Sequence, residues 1–280
     1  MLAQPPPPEL QEPAHGLLPP EAPVRMEKPR IWSPLLVGVV ALAVMASVSV
    51  LISYLAVVAA GDFNLRNPPI DESAFYDAFA KLATHLWGIA LMVLPGQFTM
   101  IVAVVAAACL SSERLGPRIG YVRGRVQWWA LPLLLLGTIF TGVVGGVASS
   151  AIFSETSRNL QMFLAMARGP GDVEFIGAVF LLSVVPGFVE ESLFRGYIQR
   201  RLLRRWSPFA AIATSTAFFT LAHFDPQHML GIIPLGVWLG YLAWRTGALW
   251  PGMLCHAAQN TVAMLGGRYG DPRTMASHRT

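Results

Sequence analysis

Charge is scarce in this chain. Asp, Glu, Lys and Arg make up 13% of its 280 residues, about half the share usual in a soluble domain. Hydrophobic residues make up 54%, and the mean hydropathy is +0.51. That balance excludes an ordinary water-soluble globule, because several uncharged stretches run past the roughly 18 residues that mark a membrane-spanning helix. Cysteine is almost missing as well: Cys109 and Cys255 both lie in apolar runs, which excludes a disulfide framework. Cys255 stands beside His256, as a thiol nucleophile would, but a buried cysteine is more often a small hydrophobe. There is no internal repeat of the kind many transporters show, and no His-Glu-x-x-His helix of the usual zinc protease. The net charge of +4 does not point to nucleic acid, because the basic residues fall between apolar runs, as they do in the cytoplasmic loops of membrane proteins.

What is present is a series of apolar segments. The sequence predicts an all-α polytopic membrane protein with about seven spans (six to eight). Residues 1–30 are rich in proline and too polar to bury a core, so a disordered cytoplasmic tail is expected there, a tether rather than a docking motif. Residues 31–172 hold the N-terminal spans: Pro34 to Ala60, Leu86 to Leu110 and Trp128 to Phe153. The first run exceeds the 7–15 residues of a signal-peptide core and is expected to stay in the membrane. Residues 62–83 carry mixed charge and aromatics, as an interfacial helix would, and 154–172 read as a polar loop. Residues 173–266 hold the rest: a long helix kinked at Pro186, a span from Pro208 to His223, one from Met229 to Trp244 and one from Ala248 to Leu265. Phe224 to Gln227 reads as a turn, with Asp225 and His228 interfacial. Residues 267–280 form a short polar tail.

Arginines set the expected orientation. They cluster at Arg114 to Arg125, at Arg200 to Arg205 and at Arg245, in loops that alternate correctly for a cytoplasmic N-terminus, and the plasma (inner) membrane is the expected location.

Two adjacent carboxylates sit inside this apolar half, at Glu190-Glu191-Ser192-Leu193-Phe194-Arg195. Phe219 and His223 follow on the next span, and His256 and Asn260 on the last. A charge at membrane depth costs roughly 2.5–3.5 kcal/mol on insertion scales, so such residues usually mark function. Glu190 lies sixteen residues before Trp206, and His223 sixteen after Ser207. At 1.5 Å per residue both lie roughly 24 Å along their helices from that turn. His256, nine residues past Gly247, falls at a similar membrane depth, about 14 Å. Three segments therefore place polar side chains in one layer. Within it, Glu191 and Arg195 stand at i, i+4 and pair. Phe219 shares a face with His223, and His256 shares one with Asn260. Glu190 points away from Glu191 with no local basic partner, a position that suits a general base. Taken singly, each residue has a plainer reading as a structural ion pair, a buried histidine or an interhelical hydrogen bond; the shared layer is what favours a site.

The ordered trio Glu-Glu-x-x-x-Arg, Phe-x-x-x-His and His-x-x-x-Asn resembles the CAAX protease and bacteriocin-processing family of intramembrane proteases, relatives of the type II CAAX prenyl endopeptidase. The resemblance covers roughly residues 173–265, and Phe194-Arg195-Gly196 fits it too. It implies peptide-bond hydrolysis in the bilayer. Glu190 with His223 would activate a water, His256 and Asn260 would stabilise the oxyanion, and Glu191, Arg195 and Phe219 would support them. The implied partners are membrane lipid and a membrane-associated or lipidated peptide. No cofactor is expected; a zinc ion on Glu190, His223 and His256 is the alternative. A non-proteolytic scaffold or carrier using the same polar pocket is the reading from another class.

Overall fold

The computed structural model describes residues 32–60, 72–109 and 115–270. The proline-rich tail expected to be disordered, the C-terminal tail beyond residue 270 and parts of two loops lie outside the described residues. Among the described residues the chain is helical, with no strand. The helices are α1 (Trp32–Ala60), α2 (Glu72–Leu82), α3 (Leu86–Cys109), α4 (Leu115–Ile119), α5 (Leu131–Ile152) and α6 (Arg158–Arg168). A continuous α7 runs from Asp172 to Leu202. It is followed by α8 (Pro208–Leu221), α9 (Pro226–Thr246) and α10 (Trp250–Tyr269). The protein is an all-α polytopic membrane protein. Four helical stretches, Trp32–Ala59, Leu86–Ala107, Trp128–Ile152 and Asp172–Leu202, are long and apolar enough to cross a bilayer. The α8 helix is apolar but shorter, with 14 residues. With α8, α9 and α10, helices stand at all seven places where spans were expected, four of them meeting the length and hydropathy of a membrane span.

Polar residues and prolines punctuate the chain where the backbone needs them. Ser207 Oγ accepts from Ala210 N at 3.3 Å and precedes Pro208 in the first turn of α8. Asp225 Oδ1 accepts from Gln227 N and His228 N ahead of α9, which opens on Pro226. Such caps satisfy amide groups that have no helical partner. Gly247 ends α9 in the left-handed region, at φ 69°, which glycine adopts without steric cost.

One expectation is corrected. The stretch 154–172 is not simply a loop, because α6 occupies most of it. Ser157 caps that helix, and Met166 and Ala167 are buried in a cluster with Phe175 of α7 and Met264 of α10. Its apolar run, Met162 to Ala167, is too short to span a bilayer and is flanked by polar residues and by the Gly169-Pro170-Gly171 loop signal, so it does not stand out as an element. The long helix expected through Pro186 is present as one continuous element, Asp172 to Leu202. It widens into π-helical turns on both sides of the proline, at Phe180–Val184 and at Ser192–Gln199. Pro186 has no N–H to offer Leu182, and one wide turn precedes it, a common way for a helix to absorb a lost bond.

The core sits where α7 meets α1, α3 and α8: Leu193, Phe194 and Ile198 pack with Ala41, Met100 and Phe219. Elsewhere the helices turn apolar groups outward. Phe98, Leu136, Phe140, Val147 and Ile176 are all exposed, as expected of surfaces that face lipid. The α5 and α9 backbones touch, since a Cβ on Gly145 would lie 1.7 Å from the Gly231 carbonyl. This is the small-residue packing on which membrane helices rely.

Candidate active site

The wide turn Ser192–Gln199 is buried along its whole length. Two of its polar residues, Arg195 and Gln199, stand four positions apart and meet α9 side on. Arg195 Nη2 donates to the Gly236 carbonyl at 2.9 Å, and Gln199 Nε2 to the Gly240 carbonyl at 2.8 Å. One turn earlier, Glu191 Oε1 accepts from Arg195 Nη1 at 2.7 Å and from His256 Nδ1 at 3.1 Å. The expected i, i+4 pair is therefore present, and it holds a residue of α10 as well. All three side chains are buried.

Phe219 stands at the centre of this arrangement. Its ring lies 4.4 Å from the Arg195 guanidinium carbon, a cation–π contact. The rings of His223 and His256 meet it edge on, at 5.2 and 5.6 Å between centroids. His223 Nδ1 also lies 3.0 Å from the Phe219 carbonyl. If that nitrogen donates, as a carbonyl partner requires, Nε2 is left for chemistry.

Glu190 points the other way, into a cavity of about 900 Å³. The cavity is lined by Glu190, His223 and Asn260 together with Gln97, His228 and apolar groups such as Met45 and Phe163. Glu190 Oε1 accepts from Gln97 Nε2 at 2.9 Å. Its Oε2 is buried without a hydrogen-bond partner and stands 4.0 Å from His256 Nε2. The expectation that Glu190 has no local basic partner holds on its own helix, but two other helices supply neighbours.

His256 and Asn260 do not converge on one point as their i, i+4 spacing suggested. His256 faces Glu191 and lies behind the cavity wall. Asn260 lines the cavity, and its Nδ2 donates to the Leu182 carbonyl at 3.1 Å. That carbonyl is the one Pro186 cannot serve, so Asn260 stands in for the missing helical donor. The second amide hydrogen and Oδ1 of Asn260 are left over. Among the described residues, no three His, Cys, Asp or Glu side chains form a group arranged to hold a metal ion. Cys255 is buried and free, packed with Leu235 and Leu239.

Two residues of the site were missed by sequence reasoning. Gln97 is a primary amide in the middle of the apolar α3, and buried polarity of that kind is a signal in itself. His228, read as interfacial, stacks its ring on His223 at 4.7 Å and 21°. Asp225, also read as interfacial, is buried at the turn before α9 and accepts from Ser157 Oγ at 2.5 Å.

The fold and this site define a polytopic α-helical membrane protein with a buried acidic centre beside an apolar cavity. Residues 172–262 match the family model described as Rce1-like, type II CAAX prenyl endopeptidase. All three motifs fall within that match. It is also 23% identical, over 139 residues, to the Bacillus subtilis (strain 168) protein named "Putative membrane peptidase YdiL", covering 49% of this chain and 54% of that one. The chain thus spans about half the length of the curated relative it matches. No solved structure matches it.

Proposed function

We propose that this chain is an intramembrane endopeptidase that hydrolyses a peptide bond of a membrane-associated substrate, a lipidated peptide being one candidate. The observation that carries the reading is Glu190: a buried carboxylate with one oxygen held by Gln97 and the other unpartnered at a cavity wall. In this reading Glu190 Oε2, with His223 across the same cavity, takes a proton from water while the water oxygen adds to the scissile carbonyl carbon. The proton then passes to the departing amine as the carbon–nitrogen bond breaks. A positioned base contributes about 10²–10⁴-fold, and each oxyanion donor about 10²–10³. Asn260 can offer its second amide hydrogen to the oxyanion. His256 can offer Nε2–H only as a doubly protonated ring, because Nδ1 already donates to Glu191. Glu191 and Phe219 are suited to orienting His256, and Arg195 to holding Glu191.

As they stand, the described residues do not fit a three-ligand zinc site, and no step is assigned to a metal. The reading places the protein in the plasma membrane with a cytoplasmic N-terminus, in keeping with the arginine distribution.

Purified protein in lipid should cleave membrane-associated reporter peptides, and Glu190→Gln, which keeps the shape and loses the base, should abolish cleavage while leaving thermal unfolding unchanged. Full activity in Glu190→Gln would sink the general-base role. A wild-type protein that retains such peptides without cutting them would favour a binding or carrier role for the pocket.

A further inference from the structure

The two ends of the molecule differ in charge, and the cavity belongs to one of them. At the first end, Arg118 lies in α4 and Arg123 and Arg125 follow it, the C-terminal part of α7 carries Arg200 and Arg201 with Arg204 and Arg205 just beyond it, and Arg245 closes α9. These segments meet: Arg125 N donates to the Thr246 carbonyl, Arg200 Nη1 to the Gly247 carbonyl, and Trp250 Nε1 to the Arg123 carbonyl. None of residues 115–129, 200–207 or 245–250 is acidic.

The opposite end holds the α5–α6 connection, the start of α7, the α8–α9 turn and the end of α10. Ser157, Asp225 and Gln227 bond to one another there. Asp77, Glu155, Asp172 and Glu174 also belong to this end, and three of its arginines are held by neighbouring groups. Arg268 pairs with Asp172 at 2.7 Å, Arg168 donates to the Gly267 carbonyl, and Arg158 lies over the Tyr76 ring. By the rule that Lys and Arg mark the cytoplasmic loops, the arginine end is cytoplasmic and the acidic end is not.

The cavity wall extends from Glu190 to Ser150, Leu160, Phe224 and Gln227, all at the acidic end or beside it. No lining residue comes from the arginine-end segments. Toward the arginines, the chain beyond Glu190 is the fully buried turn Ser192–Gln199, none of which lines the cavity.

We infer that the site is served from the extracytoplasmic side: its substrate is a peptide segment in the outer half of the bilayer or beyond it, and not a lipidated C-terminus presented in the cytoplasm. The peptide part of this statement rests on the proposed hydrolysis; the side of access does not. Two single-cysteine variants separate them, Ser150→Cys at the cavity wall and Arg123→Cys at the arginine end, each in a Cys109→Ser, Cys255→Ser background. A membrane-impermeant maleimide applied to sealed right-side-out vesicles should label Ser150→Cys and spare Arg123→Cys until the vesicles are opened; inside-out vesicles should give the reverse. Labelling of Arg123→Cys alone in right-side-out vesicles overturns the inference. In the second arm, a membrane-impermeant reporter peptide is added to either kind of vesicle holding the full chain. Cleavage only in right-side-out vesicles supports the outer substrate, and cleavage only in inside-out vesicles overturns it. If neither kind cleaves it and the labelling is as expected, the hydrolytic reading fails and the side of access stands.

Discussion

Glu191 Oε1 receives two donors, Arg195 and His256, from two helices. Removing Glu191 therefore strands a buried cation and unties the imidazole as well, whereas removing Arg195 leaves Glu191 its histidine. Breaking a buried pair costs about 3–5 kcal/mol. Glu191→Ala should lower thermal stability by about that amount and Arg195→Ala by less, with the double variant closer to wild type than Glu191→Ala; thermal unfolding of the purified proteins checks the order. Equal stability of both single variants and wild type would show that the pair is not buried. Gln97 supports a different prediction. An ionised carboxylate only accepts, so the Gln97 amide must turn Nε2 to Glu190, which leaves Gln97 Oε1 buried and unpartnered. That unfavourable arrangement makes sense if Gln97 fixes which Glu190 oxygen is free. Gln97→Met keeps the volume and removes the donor. With a hydrogen bond to a charged group contributing about 1.5–3 kcal/mol, kcat should fall on the order of 10- to 100-fold with KM unchanged, and an unchanged kcat would remove Gln97 from the machinery. The sequence made the Glu191–Arg195 pair and the Phe219–His223 contact legible because both follow from helical spacing. It did not show Gln97 beside Glu190, because α3 lies 93 positions upstream and nothing local encodes that meeting.

On α7, proline, asparagine and the wide turns act together. Pro186 withholds an amide from Leu182, and Asn260 on α10 supplies one. Asn260→Ala should therefore destabilise the protein by about 1–3 kcal/mol, the cost of an orphaned buried acceptor. In a Pro186→Ala background, where the backbone N–H returns, the same change should cost clearly less. A double-mutant cycle read by thermal unfolding measures this, and additive effects would mean that the two residues do not share that carbonyl. Helix positions were readable from apolar run lengths and from Pro, Ser and Asp at the caps. The π-helical turns were not, because their dihedrals hardly differ from α and their register is set by what Arg195 and Gln199 reach on α9. The α6 helix was missed because its buried face depends on a partner, α10, far along the chain.

For the molecule as a whole, the layer of polar residues found by counting from the turns is real in outline. Glu190, His223 and Asn260 border one cavity, and His256 stands directly behind it. Counting gave depth but not direction, so it could not tell which side chains face the cavity and which face one another.

The brevity of α8 has a consequence for the surrounding lipid. Fourteen residues span only about 21 Å, against roughly 30 Å of hydrocarbon. Phe209, Ala213, Ala217 and Leu221 form an exposed stripe along this helix, so the acyl chains that touch it cannot hide behind a longer neighbour. Thinning of the bilayer is one way to accommodate so short a span, and it would fall beside His223, at the end of α8 next to the cavity. Local thinning brings headgroups and their water to the place where a hydrolytic reaction would need them. Turnover in reconstituted bilayers of graded acyl length should accordingly be highest in the thinner ones and fall as the chains lengthen. A rate indifferent to thickness would mean that water reaches Glu190 by another route.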